Sequence, residues 1–172
     1  MRKIDYYVSA ILFMSLMCIM CEKEISTDVN SNSTLSIVLV ETNETYFTDS
    51  DFAGYLSLSC EMVLNNTGIK KWNSYIKYDS TFNPPIPKFG NHYQKEFAVR
   101  VDDRDIYHGI FTSELSSTIF NSIIIKDIIM EKDSINNTFQ IGIQSAGGET
   151  VTDSRNDPRI IRFFQMKNKL LN

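Results

Sequence analysis

Beyond the first twenty-one residues, one cysteine (Cys60) and two histidines (His92 and His108) are the side chains that could do nucleophilic or zinc chemistry. Cys60 falls between Leu58 and Met62 on an apolar face, where burial raises a thiol's pKa and keeps it inert. His92 lies in the loop Gly90-Asn91-His92-Tyr93, and His108 lies inside a strand-like run between Tyr107 and Gly109. Neither belongs to an HxH, HExxH or Cys/His pair, so no zinc signature is present. Carboxylates gather at Asp49/Asp51 and at Asp102, Asp103 and Asp105. Calcium takes about six to eight oxygens, which makes the second group a weak calcium candidate. EF-hand spacing is absent, and Asp is common in turns because its side chain bonds the local backbone. GxSxG, Walker-type and GxGxxG motifs are also absent. The site assignment is therefore no catalytic residue, no metal and no cofactor. A hydrolase with an unrecognised site stays as an alternative; a glycosidase carboxylate pair is one form of it, because separation in space is not written in a sequence.

The densest aromatic stretch runs through Trp72, Tyr75, Tyr78, Phe82, Phe89 and Tyr93, beside a loop with Pro84, Pro85 and Pro87. Aromatic faces stack on sugars, and Asn73, Asn83 and Asn91 could bond hydroxyls. Trp72, Tyr75, Tyr78 and Tyr93 are thus a ligand platform in an alternative, glycan-binding reading. The ordinary role of such residues is to fill core, because each buries a large apolar area. In a strand Trp72 and Tyr78 would share a face opposite Tyr75; in a helix all three would come together.

The whole chain sets the frame for these residues. It has 172 residues, a net charge of −4 and 42% hydrophobic residues, which fits one globular domain and offers no broad basic surface for nucleic acid. Three cysteines are too few for a disulfide scaffold.

The N-terminus carries the most specific pattern. Arg2 and Lys3 precede Val8 to Met20, a run whose only clearly polar members are Ser9 and Ser15. Cys21 follows, and then Glu22-Lys23-Glu24. A positive start, an apolar run and an abrupt polar change mark a secretory signal. The run is shorter than the roughly 20 residues of a transmembrane helix. With Cys21 at the junction, residues 1 to about 24 resemble a bacterial lipoprotein signal. The matching segment is Cys18-Ile19-Met20-Cys21, with Met20 where that family usually has Gly, Ala or Ser, and Cys18 as the rival site. The resemblance implies cleavage before Cys21 and a diacylglycerol on its thiol. Acidic residues after Cys21 resemble the surface-export signals of some Gram-negative lipoproteins. An ordinary secretory peptide and an uncleaved anchor are the alternatives for the same run.

Residues 1–20 are accordingly read as signal peptide, 21–34 as a lipidated polar tether, and 35–172 as the folded domain. Leu35, Ile37 and Leu39 alternate along a first strand. Residues 55–64 alternate so that Leu56, Leu58, Cys60, Met62 and Leu64 share one face. Phe97, Val99 and Val101, then the polar turn 102–105 and residues 106–112, predict a hairpin. Residues 119–130 hold six Ile in twelve positions, which favours a strand. Phe139, Ile141 and Ile143 alternate in a late strand. Asp157 can cap a helix with Pro158 at its first position, spanning 158–170. The expected fold is mainly β, an antiparallel β-sandwich with a short C-terminal α-helix. Its expected core includes Leu56, Leu58, Cys60, Phe97, Val99, Val101, Phe139, Ile141 and Ile143. The expected role is an exported, non-enzymatic binding or assembly component of a Gram-negative cell envelope. A lipid would anchor it to the outer membrane, facing the periplasm or the cell surface, with a protein or a glycan as partner.

Overall fold

The computed structural model describes residues 28–83, 86–88, 92–113, 116–126, 138–139, 141–145, 147 and 150–171. The fold is mainly β. Its larger sheet contains β1 (Leu35–Leu39), β2 (Glu44–Thr48), β7 (Glu96–Val101), β8 (Arg104–Thr112), β9 (Ser122–Lys126) and β11 (Ile141–Gln144), in the order β11-β9-β8-β7-β1-β2. The second sheet contains β3 (Phe52–Leu56), β4 (Glu61–Leu64), β10 (Thr138–Phe139) and β12 (Leu170–Leu171), in the order β10-β4-β3-β12. Strands β5 (Lys77–Asp79) and β6 (Ile86–Lys88) pair as a separate ribbon. Pairing is mainly antiparallel, as expected. Two pairs depart from that: β8 with β9 and β12 with β3 run parallel. Among the described residues, α-helices α1 (Asn66–Tyr75) and α2 (Pro158–Met166) pack on the sheets.

One apolar cluster joins these layers. It takes Ile37 from β1, Phe47 from β2, Phe52 from β3, Met62 from β4, Trp72 from α1, Val99 from β7, Phe111 from β8 and Phe164 from α2, all buried. The hairpin β7–β8 is the centre of the larger sheet. Its turn is shorter than 102–105: only Asp102 and Asp103 turn, both with positive φ (51° and 60°), and β8 already starts at Arg104. Asp tolerates that left-handed region, and two such residues match the twist of paired strands. Across this hairpin Gly109 leaves room for the Phe97 ring, since a Cβ there would lie 2.3 Å from Phe97 Cζ.

Several sequence expectations are corrected. Residues 55–64 are not one strand: β3 ends at Leu56, a turn occupies 57–60, and β4 starts at Glu61. Cys60 takes a positive φ of 59°, which reverses the chain. Alternation therefore runs on through a turn by coincidence. Leu58 is 94% exposed at its tip and Leu56 is half-buried, while Cys60 is buried as expected. Ile143 is also not core; it is 37% exposed on the edge strand β11. Phe139's side chain lies outside the described residues. Within 119–126 the isoleucine-rich strand covers Ser122–Lys126, with Ile119 exposed; residues 127–130 lie outside the description.

The C-terminal helix starts as predicted, with the Asp157 side chain accepting from Arg159 N–H and Pro158 in the first turn. It stops at Met166, short of 170. Asn168 adopts φ 54°, its N–H reaches Gln165 O at 3.0 Å, and Lys169 N–H reaches Phe164 O at 2.8 Å. That pair of bonds is a Schellman stop, and it frees Leu170–Leu171 to pair with β3. Helix α1 was not expected. Asn65 caps it, accepting from the N–H groups of Thr67 (2.9 Å) and Gly68 (3.0 Å). Finally, part of the presumed tether belongs to the domain: Val29 and Ser33 are buried, and Thr34 N–H donates to Asp102 Oδ1 at 2.8 Å.

Candidate functional site

Two clusters of titratable side chains stand out, one around His92 and one around Arg155, and both of these residues are half-buried. The first is built around His92. Strand β2 supplies Tyr46, the last residue of α1 is Tyr75, and β8 supplies Phe111. The turn carrying His92 is pinned to the larger sheet: Gln94 N–H donates to Phe111 O (2.8 Å) and Phe111 N–H to Lys95 O (2.9 Å). The imidazole meets Tyr46 and Tyr75 edge-on, at centroid distances of 4.7 and 5.1 Å, with Phe111 at 6.0 Å. Such T-shaped contacts are the favoured aromatic geometry. The Tyr46 hydroxyl also bonds His92 Nδ1. Burial, followed by the nearby Glu44 and Tyr75, pushes the Tyr46 phenol up to about 12. Burial also raises Tyr75, again with help from Glu44 and Asp51. His92 moves down: burial disfavours its cation, Glu44 opposes this, and Lys77 and Lys95 add to it. The Tyr46 phenol therefore keeps its proton, and the surroundings of His92 favour the neutral imidazole.

The second cluster is seated on Arg155. Its guanidinium forms two bonds to Asp153 (Nε to Oδ1 at 2.9 Å, Nη2 to Oδ2 at 2.8 Å) and donates Nη1–H to Ile141 O at 2.6 Å. Tyr55 Oη donates to Arg155 O and Asn156 Oδ1, both at 2.9 Å, and Asn156 Nδ2 donates to Ser57 O at 2.8 Å. Each partner is matched. The hydrogen bonds from Arg155 hold Asp153 below the usual carboxylate range, and Asp153 in turn raises Arg155. Burial drives the phenols of Tyr55 and Tyr107 well upward. Cys60 is buried beside this seat, its Sγ directed to Ser57 O at 3.9 Å. The seat locks the 153–157 loop to β3 and β11.

Among the described residues, those that the sequence singles out for a site do not assemble. Trp72 is only 2% exposed, packed between Phe47 (6.1 Å) and Phe111 (6.4 Å). The sugar platform loses its anchor, because α1 turns this residue inward. Tyr75 is half-buried against His92, and Tyr93 directs its hydroxyl to Ser116 (2.7 Å) and Thr118 (3.4 Å). The side chain of Tyr78 lies outside the described residues. The calcium trio does not converge either. Asp102 receives Thr34 N–H, Asp103 shares its hairpin turn, and Asp105 is held low by its hydrogen bond from Arg100. Among the described residues no three His, Cys, Asp or Glu side chains gather as a metal group. His108 stands exposed on the hairpin, with Glu96 Oε1 at its Nδ1 (2.6 Å) and Asp105 Oδ2 at its Nε2 (3.2 Å). Carboxylates on opposite ring nitrogens cannot share one ion with that ring. Cys21 lies outside the described residues.

Shallow hollows among the described residues include the following. One, of about 120 Å³, lies where the chain enters the domain, between Asp28, Val29, Val101, Asp102, Arg104 and Arg159. The other, of about 270 Å³, lies above Gly142 between Ile124, Lys126 and Gln144. Sequence reasoning missed the His92 cluster, whose members come from four separate segments. The available signals were Asn65 as a helix cap and Ile69-Trp72-Ile76 at helical spacing, which together turn Tyr75 toward the sheet. No family model matches this chain, and no curated protein or solved structure matches it either.

Proposed function

We propose that this chain is an exported lipoprotein, a binding or assembly component of the cell envelope held to a membrane through Cys21. The observation that carries this reading is the apolar run Val8 to Met20 ending at Cys21 and giving way at once to Glu22-Lys23-Glu24. Two acyl signals suffice to hold a soluble domain at a bilayer, at about 0.8 kcal/mol per buried CH₂. The start of the fold supports a close attachment. With Val29 buried, only residues 22–27 separate Cys21 from the described domain, and six residues span at most roughly 20–22 Å at ~3.3–3.6 Å per residue. The Asp102–Asp103 turn and α2 then lie at the anchored end, since Asp28, Asp102 and Arg159 line one hollow.

A protein partner is favoured by the outer side of the β7–β8 hairpin. There Glu96, His108, Asp105, Arg100 and Asn43 are bonded in sequence. Fixed charges of both signs suit recognition by charge complementarity. Mass spectrometry of the mature N-terminus, with and without globomycin, tests the anchor. The expected product starts at acylated Cys21, and globomycin leaves the precursor uncut. An unmodified N-terminus at another residue overturns the proposal.

A further inference from the structure

We propose that His92 is a proton-operated joint, whose protonation loosens the end of α1 and the 92–95 turn from β2 and β8. The geometry makes one ring the meeting point of these elements. Tyr46 comes from β2, Tyr75 closes α1, and Phe111 comes from β8, and each faces the imidazole within 6.0 Å. The bond from Tyr46 enters at Nδ1. With the phenol protonated, we assign its O–H as donor and Nδ1 as acceptor, the tautomer that carries its single ring proton on Nε2, and an acceptor nitrogen is a neutral one.

A proton on Nδ1 occupies that position and places a cation in a half-buried aromatic box. The charged groups around it do not compensate. Glu44 on β2 attracts it, while Lys77, at the start of β5, and Lys95, before β7, repel it. Lys95 is itself ion-paired with Glu41, and Asp51, beyond Tyr75, is paired with Lys71 at 3.0 Å. Phe111 brings no charge. Water solvates an imidazolium better than this box does, so acid favours the state in which His92 has left it. The rest of the core needs no such change: Trp72 and Phe97 lie behind Phe111 and carry no titrating group.

The experiment is an NMR titration of the full-length chain from pH 8 to 4.5. It is run in a His108→Gln background so that a single imidazole reports. Opening constants come from amide exchange at Tyr75 and Lys95, with Val99 as core reference. The His92 midpoint is expected below 6.5. The opening constant at Tyr75 and Lys95 is expected to rise up to tenfold per pH unit below 6.5, levelling off at the closed-state midpoint, while Val99 and Trp72 emission stay constant. His92→Phe, which fills the box without titrating, is expected to remove the acid-dependent part. Tyr46→Phe, which keeps the ring and removes the donor, is expected to raise the His92 midpoint. A midpoint at or above 6.5, an opening constant indifferent to pH, or an unchanged acid response in His92→Phe overturns the proposal. So does an unmoved midpoint in Tyr46→Phe, which tests the joint independently of whether His92→Phe folds.

Discussion

The Arg155 seat and the His92 box use similar materials to opposite effect. Each sets tyrosines around one basic side chain. At Arg155 the charge meets a bidentate carboxylate and a carbonyl, and the surrounding hydroxyl and amide groups are bonded in turn. At His92 the ring meets two tyrosine rings at nearly right angles, and one hydroxyl. Among the described residues no buried side-chain nitrogen or oxygen lacks a hydrogen-bond partner, so neither region is defective. They differ in which protonation state the packing accepts. A guanidinium keeps its proton throughout, so its pairing is constant. An imidazole changes charge within the physiological range, and here the surroundings favour the neutral form. A half-buried polar group that never titrates builds a frame, whereas one that titrates makes a condition-dependent contact.

The largest expected effect comes from the layer behind the His92 box. Trp72→Ala removes a side chain packed on Phe47 and Phe111 and is expected to cost about 3–5 kcal/mol, read by urea unfolding. A loss below about 1 kcal/mol would mean that α1 is not seated as described. Tyr55→Phe comes next. It removes the donor to Arg155 O and Asn156 Oδ1 and leaves these acceptors to find other partners, for about 1–3 kcal/mol. That cost is expected to be the same at pH 8 and pH 5.5. Asp153 has its carboxyl pKa depressed, so its contribution is complete above its ordinary value near pH 4 and is lost only as pH falls further toward the folded value. Tyr55 and Tyr107 are raised, so their contribution persists below about pH 10 and is lost as pH rises above it.

His92 has the other sign for its class. Its folded pKa is lowered, so its stabilisation is present above about pH 6.5 and lost as pH falls from there to the folded value. Tyr46→Phe is therefore expected to cost about 0.5–1.5 kcal/mol at pH 8 and less at pH 5.5. Equal costs at both pH values would erase the distinction between the two regions.

The frame was more legible in sequence than the conditional contact. Phe97, Val99 and Val101 alternate beside two turn-forming aspartates, and each signal is local, so the central hairpin could be read. Asp157-Pro158 announced α2 in the same way. The stop at Asn168 and the reversal at Cys60 depend on left-handed φ at residues other than glycine, which composition does not advertise. Helix α1 is short and contains Gly68, Asn73 and Ser74, weak helix formers that tertiary packing of Ile69 and Trp72 overrides. The His92 box was hidden for another reason. Tyr46, Tyr75, His92 and Phe111 meet through pairing of β1 with both β2 and β7 and of β7 with β8, and no local pattern in the chain states that order.

The smallest expected effect lies at the margin of the seat, at Leu58. The 57–60 turn is held from within: Asn156 Nδ2 reaches Ser57 O, and Cys60 directs its thiol to the same carbonyl. Leu58 itself points outward, 94% exposed. Leu58→Ser is therefore expected to change stability by no more than about 0.5 kcal/mol in either direction. If residues 55–64 formed one continuous strand with Leu58 on its inner face, the same substitution would remove buried apolar volume and cost about 2–5 kcal/mol. Urea midpoints of the two proteins separate these outcomes without a structure. A near-zero result together with a pH-flat cost for Tyr55→Phe would place the constraint on this corner in the Tyr55–Asn156–Ser57 bonds rather than in apolar burial. A large loss would move it back to packing and remove the contrast with the box around His92.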